Sequence, residues 1–330
     1  MAQKLLADWT TDDFHTVEHG VLLAQHRLAE TGLFSDESLA HIIDTHPDES
    51  LTVGRMGSNS HKFDWRHGDR NGVSGEVLIQ LVKDGRLWLN CRRMLDHHPA
   101  FADLVNSIYS ELAANCPGFK AVQRTANLLI SSPQAIVHYH VDLPVNMLWH
   151  VRGRKRVWVY PHFDHRFVSQ TVIEKVATGE YSEDVPYDPD WDKYALVFDA
   201  EPGQLLTWPQ HSPHRVSNLE GLNVLLSTEH KNPRAIRRIN VHQENQFLRH
   251  KLGLGCTSSS VDGVTAHVKQ AVARAVRACD KIRGDQPEQF EYPISFKIDP
   301  EAPLGYVDLD LSADEITGPH VANELAPAKE

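Results

Sequence analysis

The chain has 330 residues, 41% of them apolar and 23% charged, the balance of a globular protein with a sizeable core. No stretch reaches the ~18–20 consecutive apolar residues of a membrane span, and the start, MAQKLLADWTTDDFH, has no long apolar segment followed by a small-residue cleavage site. The net charge of −11 runs against a phosphate-tracking surface, so nucleic acid is a poor candidate partner; the four dispersed cysteines, Cys91, Cys116, Cys256 and Cys279, form no CxxC pair and suit free thiols in a reducing cytoplasm.

Residues 1–120 read as helices and short strands that extend a barrel. Phe14, Val17, Val21, Leu22 and Leu28 recur at roughly helical spacing, with Gly32 as a C-terminal stop. Ser35 is placed to cap a helix carrying Leu39, Ile42 and Ile43 that ends before Pro47. EVLIQLV (76–82) and RLWLNC (86–91) flank Lys83-Asp84-Gly85 and read as a hairpin, because Asp-Gly supplies the positive φ of a tight turn. An amphipathic helix follows, with Phe101, Leu104, Val105, Ile108 and Leu112 on one stripe and Pro117 beyond its end.

The character changes between about 125 and 230. Short β-rich runs (NLLIS, AIVHYHV, MLWHV, KRVWVYP, ALVFDA, QLLTWP, NVLLST) follow one another without alternating helices, which predicts a mainly β jelly roll with helical additions. This core spans 121–240. An insertion at 161–195 interrupts it, with one short helix near Val172–Ala177 and a polar loop rich in Pro and Asp. Residues 241–330 turn helical again, with Val264, Val268, Val272 and Val276 on the longer helix as a scaffold or dimer face. YPISFKI (292–298) fits a returning strand, and the last dozen residues read as a disordered tail.

The chemistry concentrates in HYHVD (138–142). His140 and Asp142 are two apart at the end of a strand, and residues i and i+2 point to one face, so an imidazole and a carboxylate can approach the same ion. Such pairs are common by chance. EPGQLLTWPQHSPHRVSN (201–218) adds a third ligand, His214, from another strand of the same barrel. Two imidazoles and one carboxylate on one face of an ion form the facial triad of non-haem iron(II) oxygenases, which leaves positions open for cosubstrate and O₂. Arg152-Gly153-Arg154 reads as a turn, after which Lys155, Val157 and Val159 share one face while Arg154 and Arg156 snorkel at the surface. A lysine on an apolar inward face needs an anionic partner. His138 either lines the site or forms a structural hydrogen bond, and His211 is expected at the pocket mouth. Trp149 and Trp208 read as wall or core packing, and Asn218 and Ser227 as polar lining.

These segments resemble the JmjC-type hydroxylases, particularly the asparaginyl hydroxylases that act on hypoxia-inducible factor. That family carries H-x-D, an Asn six residues after the first His, a Gly-x-Lys-Arg with Lys fifteen after it, and a second His five after a Pro; here these positions hold His140, Asn146, Lys155 and, after Pro209, His214. The resemblance covers roughly 125–230. It implies a double-stranded β-helix flanked by N- and C-terminal helices. It further implies an Fe(II)/2-oxoglutarate-dependent dioxygenase that hydroxylates a C–H bond on a protein side chain while 2-oxoglutarate becomes succinate and CO₂. Iron would be held by His140, Asp142 and His214, and 2-oxoglutarate by Lys155 and Asn146. Relatives suggest a homodimer through the C-terminal helices. Two departures stand out. Val137 replaces the family's Thr three residues before the first His, and Glu229 replaces an Asn fifteen after the second, so Glu229 is expected to face outward, away from an anionic cosubstrate. A metal-dependent cupin that does not use 2-oxoglutarate, and a hydroxylase of a small metabolite or peptide natural product, remain open on the residues alone.

Overall fold

A computed structural model describes residues 4–59, 64–85, 87–253, 258–283 and 292–311. The chain opens with a two-residue strand, β1 (Leu6–Ala7), and a short helix, α1 (Thr11–Thr16), capped by Thr10. The expected helical stripe from Phe14 to Leu28 then breaks. Leu22–His26 is a strand, β2, in which Leu22, Ala24 and His26 alternate inward, and only the 3₁₀ turn at Leu28–Thr31 ends as foreseen, with Gly32 at φ 76°. Helix α2 (Asp36–Thr45) starts at Ser35, whose hydroxyl accepts from Ser38 N, and buries Leu39, Ile42 and Ile43. Strands β3 (Leu51–Met56) and β4 (Trp65–Asp69) follow.

The expected hairpin at 76–91 is absent. Gly75–Asp84 is a helix, α3, capped by Ser74 and burying Leu78, Ile79 and Val82; only Leu87–Cys91 is a strand, β5. Gly85 has φ −111°, so no positive-φ turn forms there. A six-residue apolar run suits a strand or a buried helix face equally, and the cap decides: Asp44 accepts the Gly75 amide at 2.7 Å and so anchors the helix start on α2. After a single turn, α4 (Met94–His97), the amphipathic helix α5 (Pro99–Asn115) buries Phe101, Leu104, Val105, Ile108 and Leu112.

The barrel is built from β6 (Val122–Ser131), β7 (Ile136–His140), β8 (Val145–Val159), β9 (Leu196–Ala200), β10 (Gln204–Thr207) and β11 (His214–Lys231). Strands β8 and β11 each pass through two facing sheets. Their 145–152 and 224–231 portions pair with each other and with β10 and β6. Their 154–159 and 214–220 portions pair with each other and with β9 and β7. This is a double-stranded β-helix, a jelly roll of cupin type. The first sheet is extended on one side by β2 and β1 and on the other by β5, β3 and β4, then by β12 (Ile294–Ile298) and β13 (Tyr306–Asp308). Helix α6 (Gln170–Thr178) lies in the insertion, and α7 (Pro233–Leu252) and α8 (Val264–Arg283) follow the barrel. Val264, Val268 and Val272 are exposed on α8. The expected tail lies outside the described residues. No helix among the described residues is long and apolar enough to cross a membrane.

Both long strands bend where glycine permits it. Gly153 has φ 78°, and a Cβ there would lie 2.6 Å from the Asn223 amide nitrogen and 2.8 Å from Leu222 O; Gly221, with φ 67°, faces it across the corner. We expect Gly153→Ala to lower unfolding free energy by at least ~2 kcal/mol, since left-handed strain and a backbone clash add. Urea denaturation of the variant checks this, and an unchanged midpoint would refute the corner's role.

Candidate active site

The inward faces of β6, β7, β8 and β11 enclose a cavity of about 380 Å³. His140 ends β7 and His214 begins β11, and the two are opposite one another in the antiparallel register. Asp142 follows two residues after His140. His140 Nε2 lies 3.9 Å from Asp142 Oδ1 and His214 Nε2 lies 3.5 Å from Asp142 Oδ2. The three ligand atoms fall within 4.8 Å of one another, and among the described residues no other group of His, Cys, Asp or Glu does so. Each ring is turned by its other nitrogen: His140 Nδ1 bonds His138 O at 2.7 Å and His214 Nδ1 bonds Ser212 O at 3.1 Å. With both Nδ1 atoms donating to carbonyls, both Nε2 lone pairs face Asp142, the orientation a metal needs. Trp208 packs over His214 with ring centroids 4.2 Å apart, and burial followed by the neighbouring His140 pulls the His214 imidazole down to about 3, so it stands neutral. Two imidazoles and one carboxylate suit a ferrous ion.

Asn146, on β8, is part of the same cluster. Its Nδ2 donates to Asp142 Oδ2 at 2.7 Å and its Oδ1 accepts from Ser227 Oγ at 2.9 Å. It therefore pins the carboxylate, with one amide hydrogen left over. Lys155 sits on the other half of β8, opposite Asn218 and Ala200. It is 3% exposed and lines the cavity, while Arg154 and Arg156 point outward to Glu201 and Asp199. Among the described residues no carboxylate lies within ion-pair distance of Lys155, and burial alone pulls its ammonium down to about 7. Asn218 Nδ2 donates to Ser131 Oγ at 2.8 Å, which places a hydroxyl at the Lys155 end of the cavity in the absence of one at Val137.

Other expectations resolve differently. Glu229 faces inward, against the outward orientation foreseen. On β11 it shares the inward phase with Leu225 and Ser227, and its register partner is Asn146. Burial, then the charge of Asp142, raises its carboxyl to about 7. His138 both lines the cavity and accepts from Asp64 N at 3.4 Å. Trp149 is core, with Nε1 bonded to Thr228 Oγ1. His211 is absent from this cavity and turns to the far side of its loop. The insertion contributes two residues that spacing gave no means of finding. Asp184 forms a backbone β-bridge with His140, and Glu183, an exposed residue whose carboxylate turns towards the cavity, accepts from Leu143 N at 3.2 Å; desolvation of that carboxyl and then the charge of Asp142 push its pKa up. Only their position in an acidic loop of the insertion marked them.

A cupin-type double-stranded β-helix with a clustered His-Asp-His triad is the class that fold and site define. Residues 83–233 match the family model of the cupin-like domain. The X-ray structure of ycfD from Escherichia coli superposes with a TM-score of 0.50 at 14% identity, over 87% of this chain and 71% of that one. The structure of the E. coli ribosomal oxygenase YcfD in complex with cobalt and 2-oxoglutarate superposes at 0.48 and 15% identity, over 87% and 70%. No curated protein matches the sequence.

Burying Lys155 has a measurable cost. Unfolded, Lys155 titrates near 10.5; folded, near 7. Between those values the unfolded state binds the extra proton, so this residue makes stability rise with pH there and penalises the fold fully below about 7. Lys155→Met is therefore expected to be more stable than wild type at pH 6, with the advantage shrinking by up to ~1.4 kcal/mol per pH unit from 7 towards 10. Chemical denaturation at several pH values measures it, and a pH-independent difference would place the ammonium in solvent.

Proposed function

We propose that this chain is an Fe(II)/2-oxoglutarate-dependent dioxygenase. The observation that carries the reading is Lys155: a buried ammonium without a counter-ion among the described residues, in the same cavity as the triad. A metal-dependent cupin that uses no anionic cosubstrate has no need of it. When bound, iron(II) and 2-oxoglutarate supply oxidative decarboxylation of the keto acid to succinate and CO₂, coupled to hydroxylation of a C–H bond.

The chain's own residues have distinct tasks in this reading. His140, Asp142 and His214 hold the metal, and the carbonyls of His138 and Ser212 keep both rings turned. Asn146 fixes Asp142 and offers its remaining amide hydrogen to the cosubstrate. Lys155 neutralises the distal carboxylate, with Ser131 and Asn218 beside it. The apolar walls, including Leu148, Val216 and Leu225, exclude water and strengthen that ion pair. At the opposite end Glu183, Asp184 and Glu229 form an acidic wall, which disfavours an anionic substrate. The resemblance to the asparaginyl hydroxylases favours a protein side chain as the group oxidised, in the cytoplasm.

Anaerobic addition of ferrous iron and 2-oxoglutarate should give the visible charge-transfer band of the chelate. His214→Ala should abolish it by removing a ligand, and wild-type protein without such a band would sink the proposal. Lys155→Met should weaken 2-oxoglutarate binding by at least about tenfold, and by as much as a thousandfold, since a charge-assisted bond contributes ~1.5–3 kcal/mol and an unpaired buried charge costs ~3–5 kcal/mol.

The wild-type affinity should also depend on pH. Below about 7 Lys155 is already charged and affinity is flat. Above it, binding must take up a proton, so affinity falls by up to ~10-fold per pH unit. Calorimetric titration of iron-loaded protein from pH 6 to 9 tests this. A flat profile would remove Lys155 from the cosubstrate site.

A further inference from the structure

On the far side of the loop that carries His214 lies a second cavity, of about 270 Å³, between the start of the insertion, the N-terminal half of α7 and the segment before α8. Arg234, Arg238 and His242 line it from α7, spaced four apart and therefore on one face of the helix. His211 lines it from the loop.

Its polar groups lack the partners that burial demands. His211 is 5% exposed and, among the described residues, neither ring nitrogen makes a hydrogen bond of good geometry, although Leu143 O approaches the ring. The backbone carbonyl nearest its ring, Leu143 O, already accepts from Gln210 Nε2 at 2.6 Å. His242 is 4% exposed with Nδ1 unpartnered, and the two rings stand 5.5 Å apart. His211 also has φ 64°, a left-handed conformation that costs a non-glycine residue energy and points to a task.

The cavity is cationic. Asp164 is held bidentately by Arg166, and Asp262 is paired with Arg234 at 3.5 Å, so these charges cancel. Arg238 is left over: half-buried, its Nη1 on Gln210 Oε1 at 2.9 Å and its guanidinium 4.0 Å from the Phe163 ring centre, with no carboxylate in ion-pair range among the described residues. Phe163, Arg234 and Arg238 also border a neighbouring groove of about 570 Å³, where Arg237 Nε has no partner.

We propose that this cavity is a binding site for a phosphate group, with Arg238 as its cation and His211 and His242 as N–H donors. An unneutralised guanidinium and two buried imidazoles call for an oxyanion. Donors arriving from two separate elements suit the several oxygens of a tetrahedral group better than one planar carboxylate. The cavity exceeds the size of inorganic phosphate, and the adjoining groove takes the rest of a phosphate-bearing ligand. The site is separate from the triad cavity and stands whether or not the dioxygenase reading holds.

Inorganic phosphate, titrated calorimetrically into the full chain at constant ionic strength, is the probe. Saturable binding is expected, weakened at least about tenfold by Arg238→Gln and also weakened by His242→Gln, a neutral substitution that keeps the helix if the arginine variant fails to fold. Lys155→Met, which removes the cation of the other cavity, should leave it unchanged. The proposal is overturned by absence of saturation, by loss of binding in Lys155→Met alone, by wild-type affinity in both α7 variants, or by acetate binding as tightly as phosphate.

Discussion

One antiparallel ladder places Asn146, Lys155, His214, Asn218, Ser227 and Glu229 in the triad cavity. Strands β8 and β11 pair from Val159 opposite His214 to Val145 opposite His230, and both bend through the same corner into the second sheet. That single register sets Lys155 beside Asn218 and Asn146 beside Glu229 and brings His214 to the end of β7. A slip of one residue would turn all of these side chains outward together. The tight approach of Gly153 to Asn223 and Leu222 at the corner holds the two halves of the ladder in one phase.

The ladder brings opposite charges into one apolar barrel without letting them meet. Lys155 stands at one end, and Asp142, Glu183 and Glu229 stand at the other. Burial answers at both ends by favouring neutral forms, drawing the lysine down and the two glutamates up. A cavity arranged this way is costly when empty and gains most from a ligand that carries negative charge only to the lysine end. Asn146 links the two ends, since the amide that steadies the Asp142 carboxylate is held from behind by Ser227.

The loop between β10 and β11 has two faces. Towards the barrel it presents His214 under Trp208; away from it, it presents His211 to the cationic cavity of α7. Gln210 ties the loop to both sides, donating to Leu143 O beside the triad and accepting from Arg238. Arg238 and His211 therefore act on the same segment that positions the His214 imidazole.

Local pattern carried much of this in the sequence itself. The alternation of Lys155, Val157 and Val159 against Arg154 and Arg156 needs only the two-residue strand period, and the capped helix at Ser35 and the stripe at Phe101–Leu112 need only local spacing. His140 and Asp142 were singled out by the two-residue strand step, and Asn146 and the spacing of His214 from Pro209 by their match to the family pattern that these segments resemble. What local spacing left undecided was settled by contacts distant in sequence. The apolar run at 76–82 became a helix whose start Ser74 caps and Asp44, from α2, anchors by accepting the Gly75 amide. Glu229 faces inward because its phase is set by pairing with Asn146, eighty-three positions away, and not by its charge. Glu183 reaches the triad, and His211 leaves it, because an insertion and a loop meet the barrel through contacts distant in sequence; no periodicity along the chain encodes that meeting.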